Sequence, residues 1–137
     1  MKSYNFTPHT ADVRLEVKAD NLEELLKVSL EGMNQLIKKD FCNNASNFDL
    51  KHSLEIGSLD TSALLIDFLS EVLTYSQVNK AVYCKVNFKK LEKNSLECTI
   101  MGKKVESFDE DIKAVTYHEA EVKKEDDILK STIIFDI

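Results

Sequence analysis

Glycine occurs three times and proline once in these 137 residues. So few glycines leave no glycine-rich loop of the kind that cradles phosphates. Pro8 lacks an N–H and is expected to end any regular pairing of a short lead-in strand over residues 4–6. No apolar run approaches the ~20 residues that span a bilayer, so no membrane segment is expected. The opening Met1–Phe6 lacks the apolar stretch of a secretory leader, which points to a cytoplasmic protein. Cys42, Cys84 and Cys98 are odd in number and widely spaced, with no C-x-x-C pair. Neither a disulfide framework nor a structural zinc site is indicated, and all three are expected as buried thiols. There are only three histidines and no nucleophile beside an activating base. Both facts argue against an independent metal-dependent hydrolase built on His9, Asp12 and His118.

What is present reads as one domain, residues 1–137, with one hydrophobic core: the chain is 43% apolar and 31% charged, ordinary for a globular protein. After His9-Thr10-Ala11, apolar Val13, Leu15, Val17 and Ala19 alternate with Arg14, Glu16 and Lys18, the period of a half-buried strand. Asp20 and Glu23 resemble a capping box. Beyond them Leu22, Leu25, Leu26, Leu30, Met33, Leu36 and Ile37 recur at helical spacing. A polar loop follows between Lys38 and Asn47. A second strand runs from Phe48 to Ile56, with His52 on the apolar parity as a structural residue. Asp60 is expected to cap a second helix carrying Leu64, Leu65, Phe68, Leu69, Val72, Leu73 and Tyr75. Val82–Phe88 and Leu96–Ile100 predict a hairpin turning at Lys93-Asn94-Ser95, closed by Gly102. Ile112–His118, rich in β-branched and aromatic residues, is expected as a central strand. A turn at Glu125-Asp126-Asp127 leads into a last strand. The fold class is α+β: a two-layer domain with two amphipathic helices packed on a mainly antiparallel sheet.

The net charge of −6 argues against wholesale binding of a nucleic-acid backbone. Lys85, Lys89, Lys90, Lys93, Lys103 and Lys104 nonetheless gather in one stretch, read either as a solvated strand face or as a local basic surface. Three polar places remain. His9 and Asp12 stand at the entry of the first long strand, where an imidazole and a carboxylate reach toward a cation or a partner's phosphates. Lys113, Thr116 and His118 interrupt an otherwise apolar strand. Asp136 and Ile137 put a side-chain carboxylate beside a terminal one, hard oxygen donors suited to calcium or magnesium. The acidic loop Ser107–Asp111 lacks the pattern of an EF-hand and is read as solvated.

His9-Thr10-Ala11-Asp12, the helix with Leu64-Leu65, Phe68-Leu69 and Glu71, Ile112–His118 and the closing Asp136-Ile137 together resemble the archease family, over essentially the whole chain. The resemblance implies a protein that is not itself an enzyme. It implies a cofactor of the RtcB-type RNA ligase of tRNA splicing and RNA repair, promoting guanylylation of the ligase and its repeated turnover. Asp12 matches the family's metal-binding aspartate, Asp136 its C-terminal aspartate, and Ile137 the final residue lending main-chain oxygen. Calcium is the ion the resemblance implies, and oxygen donors without thiolates disfavour zinc or copper. His9 and Lys113 match other polar positions, expected with His118 to support the metal or touch the partner. The family also suggests a second role, a chaperone-like modulator of a tRNA methyltransferase. Arg14 where the family often has a small residue, Lys103 after Gly102 where an acidic one is usual, and the missing tryptophan depart from the pattern.

Overall fold

The computed structural model describes residues 1–8 and 12–137, with backbone alone at Thr7 and Pro8. The elements run β1 (Ser3–Pro8), β2 (Asp12–Ala19), α1 (Leu22–Ile37), α2 (Phe41–Asn44), β3 (Leu50–Gly57), α3 (Thr61–Asn79), β4 (Ala81–Leu91), β5 (Ser95–Lys104), β6 (Ala114–Thr116), β7 (Lys123–Glu125) and β8 (Ile128–Asp136). The α+β class is as the sequence predicts, with the helices packed on antiparallel strands. Those strands form two sheets. One follows the order β1-β2-β8-β6 with β7 also on β8, and the other the order β3-β5-β4. Both α1 and α3 touch strands of both sheets.

Alternation along β2 decides how α1 docks. Leu15, Val17 and Ala19 are buried while Glu16 and Lys18 face solvent. Gly32 on α1 sits so close to Leu15 that an added Cβ would come within 2.6 Å of a Leu15 methyl. The missing side chain therefore sets the helix–sheet spacing. Asn21, rather than Asp20, caps α1, its side chain accepting from the Glu24 amide at 2.9 Å. Asp20 instead pairs with the amino group of Met1. Asp60 caps α3 as predicted, accepting from the Ala63 amide at 2.8 Å. The turn before β8 carries Asp126 and Asp127 at φ 51° and 64°, the two left-handed positions that match hairpin twist.

Three expectations need correcting. Ile112–His118 contributes only the three-residue β6, and it lies at the end of the sheet path rather than in its centre. Ile112 and Val115 are buried, which accounts for the apolar signal, but the chain then leaves as the 117–122 loop and offers no second edge to pair. Gly102 does not close β5, which continues to Lys104. The glycine instead faces a bulge in β4 between Val82 and Lys85. Cys42 and Cys84 are joined in a disulfide with Cα atoms 5.4 Å apart, and Cys98 alone is a free, buried thiol. The one-turn α2 carries Cys42 onto the bulge that holds Cys84, a proximity that spacing in the chain does not reveal.

Burial pushes the Cys98 thiol up to about 11. At neutral pH the native protein should therefore give essentially no reaction with a thiol reagent. One thiol should react after denaturation alone, and three after denaturation with a reductant. Three reactive thiols in unreduced, denatured protein would contradict the pairing.

Other predicted pieces hold with added roles. His52 lies against Tyr75 and Tyr83, ring centroids 4.7 and 5.6 Å away, while Asn79 donates to the Tyr83 hydroxyl at 2.8 Å. That packing makes His52 structural, as expected. The acidic loop is a clasp: Asp109 accepts from the Lys39 amide at 2.8 Å and meets the Lys38 ammonium at 3.5 Å. Those contacts, the amide first, hold its carboxyl below the ordinary value.

Candidate metal and partner site

Register brings the predicted carboxylates together. β2 and β8 pair antiparallel with Asp12 directly opposite Asp136, and β6 pairs on the other side of β8 with Ala114 opposite Asp136. The three positions form one cross-strand row. Like charges opposite each other in a sheet repel, and a cation between the two carboxylates would relieve that repulsion. Asp12 is half-buried and Asp136 exposed. Ile137 follows at once, half-buried against the core. The Asp136 carbonyl accepts from the Lys113 amide at 2.7 Å, which ties the start of β6 to the end of β8. Lys113 therefore reaches the carboxylate row through its backbone, while its side chain is exposed.

His118 is exposed on the loop beyond β6. The expected position of His9 falls outside the described residues. Among the described residues no group of three or more histidine, cysteine, aspartate or glutamate side chains is placed to hold a metal. For an ion seated at this row, Asp12 and Asp136 would supply two side-chain carboxylates in register, and the remaining donors would be main-chain oxygens or groups from a partner. Two hard carboxylates on adjacent strands, with no thiolate near them, fit calcium or magnesium by donor chemistry.

Two features beside the row were not singled out in the sequence as site residues. Arg14 lies two residues past Asp12 on the same face, opposite Ile134, which itself faces Thr116 of β6. Its guanidinium holds Glu119 at 2.7 Å. Its Nε and the Thr116 hydroxyl are buried with no hydrogen-bond partner among the described residues. A cation is thereby fixed next to the carboxylate row and anchors the 117–122 loop. The signal was the shared parity of Asp12 and Arg14; the partner Glu119, at a left-handed φ of 59°, had none. On the same loop Tyr117 is 62% exposed and its hydroxyl donates to Asp67 of α3. Ser58 donates to the other Asp67 oxygen at 2.5 Å. The hydrogen bond to Asp67 raises the Tyr117 phenol above its ordinary value. Tyr117 borders an open trough of about 580 Å³ that also runs past Leu59, Ala63 and Asn94.

The result is a small α+β protein with an acidic pair at the shared ends of β2 and β8, flanked by exposed loop residues. Residues 4–137 match the model of the Archease protein family (MTH1598/TM1083). The chain belongs to the archease family. It is 29% identical to protein archease of Methanosarcina barkeri, covering 99% of this chain and 97% of that one. It is also 29% identical to protein archease of Methanothermobacter thermautotrophicus over the full length of both. The solution structure of protein 1598 from Methanobacterium thermoautotrophicum superposes with a TM-score of 0.78 at 25% identity, covering 98% of each chain. An archease of Thermotoga maritima, described as a possible chaperone, shares the fold with a TM-score of 0.69 at 21% identity, covering 96% of this chain and 94% of that one.

Proposed function

We propose that this protein is a metal-binding activator of an RtcB-type RNA ligase, promoting guanylylation of the ligase and its multiple turnover in tRNA splicing and RNA repair, and performing no chemistry of its own. The observation that carries the reading is the direct opposition of Asp12 and Asp136 across β2 and β8, in a chain of the archease family. Asp12 and Asp136 hold the ion, calcium or another hard divalent cation such as magnesium, with main-chain oxygen from Ile137. A bound cation neutralises the two carboxylates and supplies charge to align a nucleotide's phosphates. Arg14 keeps Glu119 and its loop in place beside the row. Lys113 fixes the Asp136 backbone through its amide, while its exposed ammonium, with His118, faces the partner. Transfer of a nucleotidyl group to the ligase depends on alignment, and a rigid sheet end is suited to supply it.

Two measurements test this. Calcium should raise the melting temperature of the wild type, with about 2.7 kcal/mol of stabilisation at a hundredfold excess over Kd, and Asp136→Asn should lose that shift while melting normally without the ion. Guanylylation of the ligase, followed in a single round with labelled GTP, should accelerate when this protein is added. Unchanged guanylylation by a competent, metal-replete ligase would overturn the reading.

A second reading is a chaperone-like modulator of a tRNA methyltransferase, which the possible-chaperone description of the Thermotoga maritima relative favours. It works by surface contact, so Asp12→Ala would leave it intact.

A further inference from the structure

Charge is segregated along this chain. Between Lys80 and Lys104 stand seven lysines and two glutamates, in a protein whose net charge is −6. The three-stranded sheet turns part of that excess into a surface. Its pairing sets Lys51, Met101 and Lys85 in one row across β3, β5 and β4, and Ser53, Thr99 and Asn87 in the next. These alternate with the buried Leu54, Ile100, Val86 and Cys98 and so lie on the sheet's outer face. Lys103 lies one period beyond Met101 on β5, and Lys51, Ser53, Lys85, Asn87 and Lys103 are all exposed. Lys51, Lys85 and Lys103 join no ion pair among the described residues. At the other end of the face Glu55 and Glu97 oppose each other beside Lys90, so the positive region has a definite border.

We propose that this face binds the backbone of double-helical RNA. Strands lie about 4.8 Å apart and rise about 3.4 Å per residue, so the roots of Lys51 and Lys85 are about 10 Å apart and that of Lys103 about 7 Å along the strand from their row. Long lysine side chains on that spacing reach successive phosphates. The face carries no exposed aromatic side chain, so it offers nothing for the bases of a single strand to stack on. A sheet surface also projects no element into a major groove, where B-form DNA is read. A-form RNA instead shows a wide, shallow minor groove lined by 2′-hydroxyls, which a flat row of hydroxyl and amide groups such as Ser53, Thr99 and Asn87 can meet. An acidic protein partner is disfavoured because the half-buried Met101 is the sole apolar group in these rows, and protein interfaces centre on apolar anchors. The proposal is independent of the ligase reading.

Fluorescence anisotropy with a labelled RNA duplex of about 20 bp, the matching DNA duplex, the single RNA strand and a poly-glutamate peptide tests it. Duplex RNA should bind best, with log affinity falling against log salt at a slope of roughly −2 to −3, as for three phosphate contacts. The pair Lys85→Glu and Lys103→Glu should weaken duplex binding at least ~10-fold with an unchanged circular dichroism spectrum. The pair Lys123→Glu and Lys124→Glu, an equal charge change on the other sheet, should leave it nearly as it was. Asn87→Ala with Thr99→Ala should narrow the preference for RNA over DNA. The proposal is overturned by absence of duplex binding at low salt, by equal loss in both lysine pairs, or by preference for DNA, single strands or the acidic peptide. Salt-sensitive self-association in sedimentation, without duplex binding, would assign the face to a second copy of this chain.

Discussion

Gly102→Ala is expected to destabilise the protein by about 3 kcal/mol or more, beyond the usual cost of overpacking a core. A Cβ at this position would meet the Val82 carbonyl oxygen at 2.4 Å, Tyr83 Cδ1 at 2.8 Å and Tyr83 Cα at 2.9 Å. Two of those atoms belong to the backbone, so no rotamer change relieves the clash. That backbone is itself pinned. The Tyr83 carbonyl accepts from the buried Asn34 side chain at 2.9 Å, the Tyr83 hydroxyl accepts from Asn79, and Cys84 is tied to Cys42. Moving the bulge to admit a methyl group would disturb α1, α2, α3 and the aromatic cluster around His52 together. Gly57 is the matched control, since a Cβ there meets nothing within 4 Å; Gly57→Ala should be neutral or stabilising by up to ~1 kcal/mol. Urea melts of both variants separate the two cases. Equal stability of Gly102→Ala and wild type would mean that the bulge yields.

Periodicity made β2, α1, α3 and the β4–β5 hairpin legible, because each buries one face over most of its length, β4 breaking its alternation only at its bulges. It could not show that the strands divide between two sheets, since both sheets leave the same alternation in the chain. The hidden features share a cause: each depends on a contact far away in sequence. Cys42 and Cys84 meet only because a bulge and a one-turn helix are superposed, and Gly102 is required by that same bulge. β6 ends early because the loop that follows it is held elsewhere, by Glu119 on Arg14 and by the Val122 amide on the Ser62 hydroxyl at 2.8 Å. For the site, the residue types at Asp12 and Asp136 were legible, whereas their opposition is a property of register. That register is set where Leu15 faces Ile133 and Val13 faces Phe135, so the core fixes it. A slip of β2 by one residue would turn Asp12 toward the core and Leu15 toward solvent, and a slip of β8 would do the same to Asp136 and Phe135; burial of Leu15, Ile133 and Phe135 opposes both.

Under the proposed function, the carboxylate pair is expected to carry the largest functional effect. If Asp12 and Asp136 hold one ion between them, removing either should cost nearly as much as removing both, because groups that act as a unit are not additive. Each single variant should fold, since Asp12 and Asp136 stand at the ends of their strands, outside the buried core that fixes the register. The measurement that tests the central claim is multiple-turnover RNA ligation by the source organism's RtcB-type ligase with GTP and metal. This protein is supplied in substoichiometric amounts as wild type, Asp12→Ala, Asp136→Ala or the double variant. Stimulation by the wild type, with all three variants at the level of the ligase alone, is the predicted result. A ligase known to be active that is not stimulated by the wild type, or is stimulated equally by the variants, would contradict it.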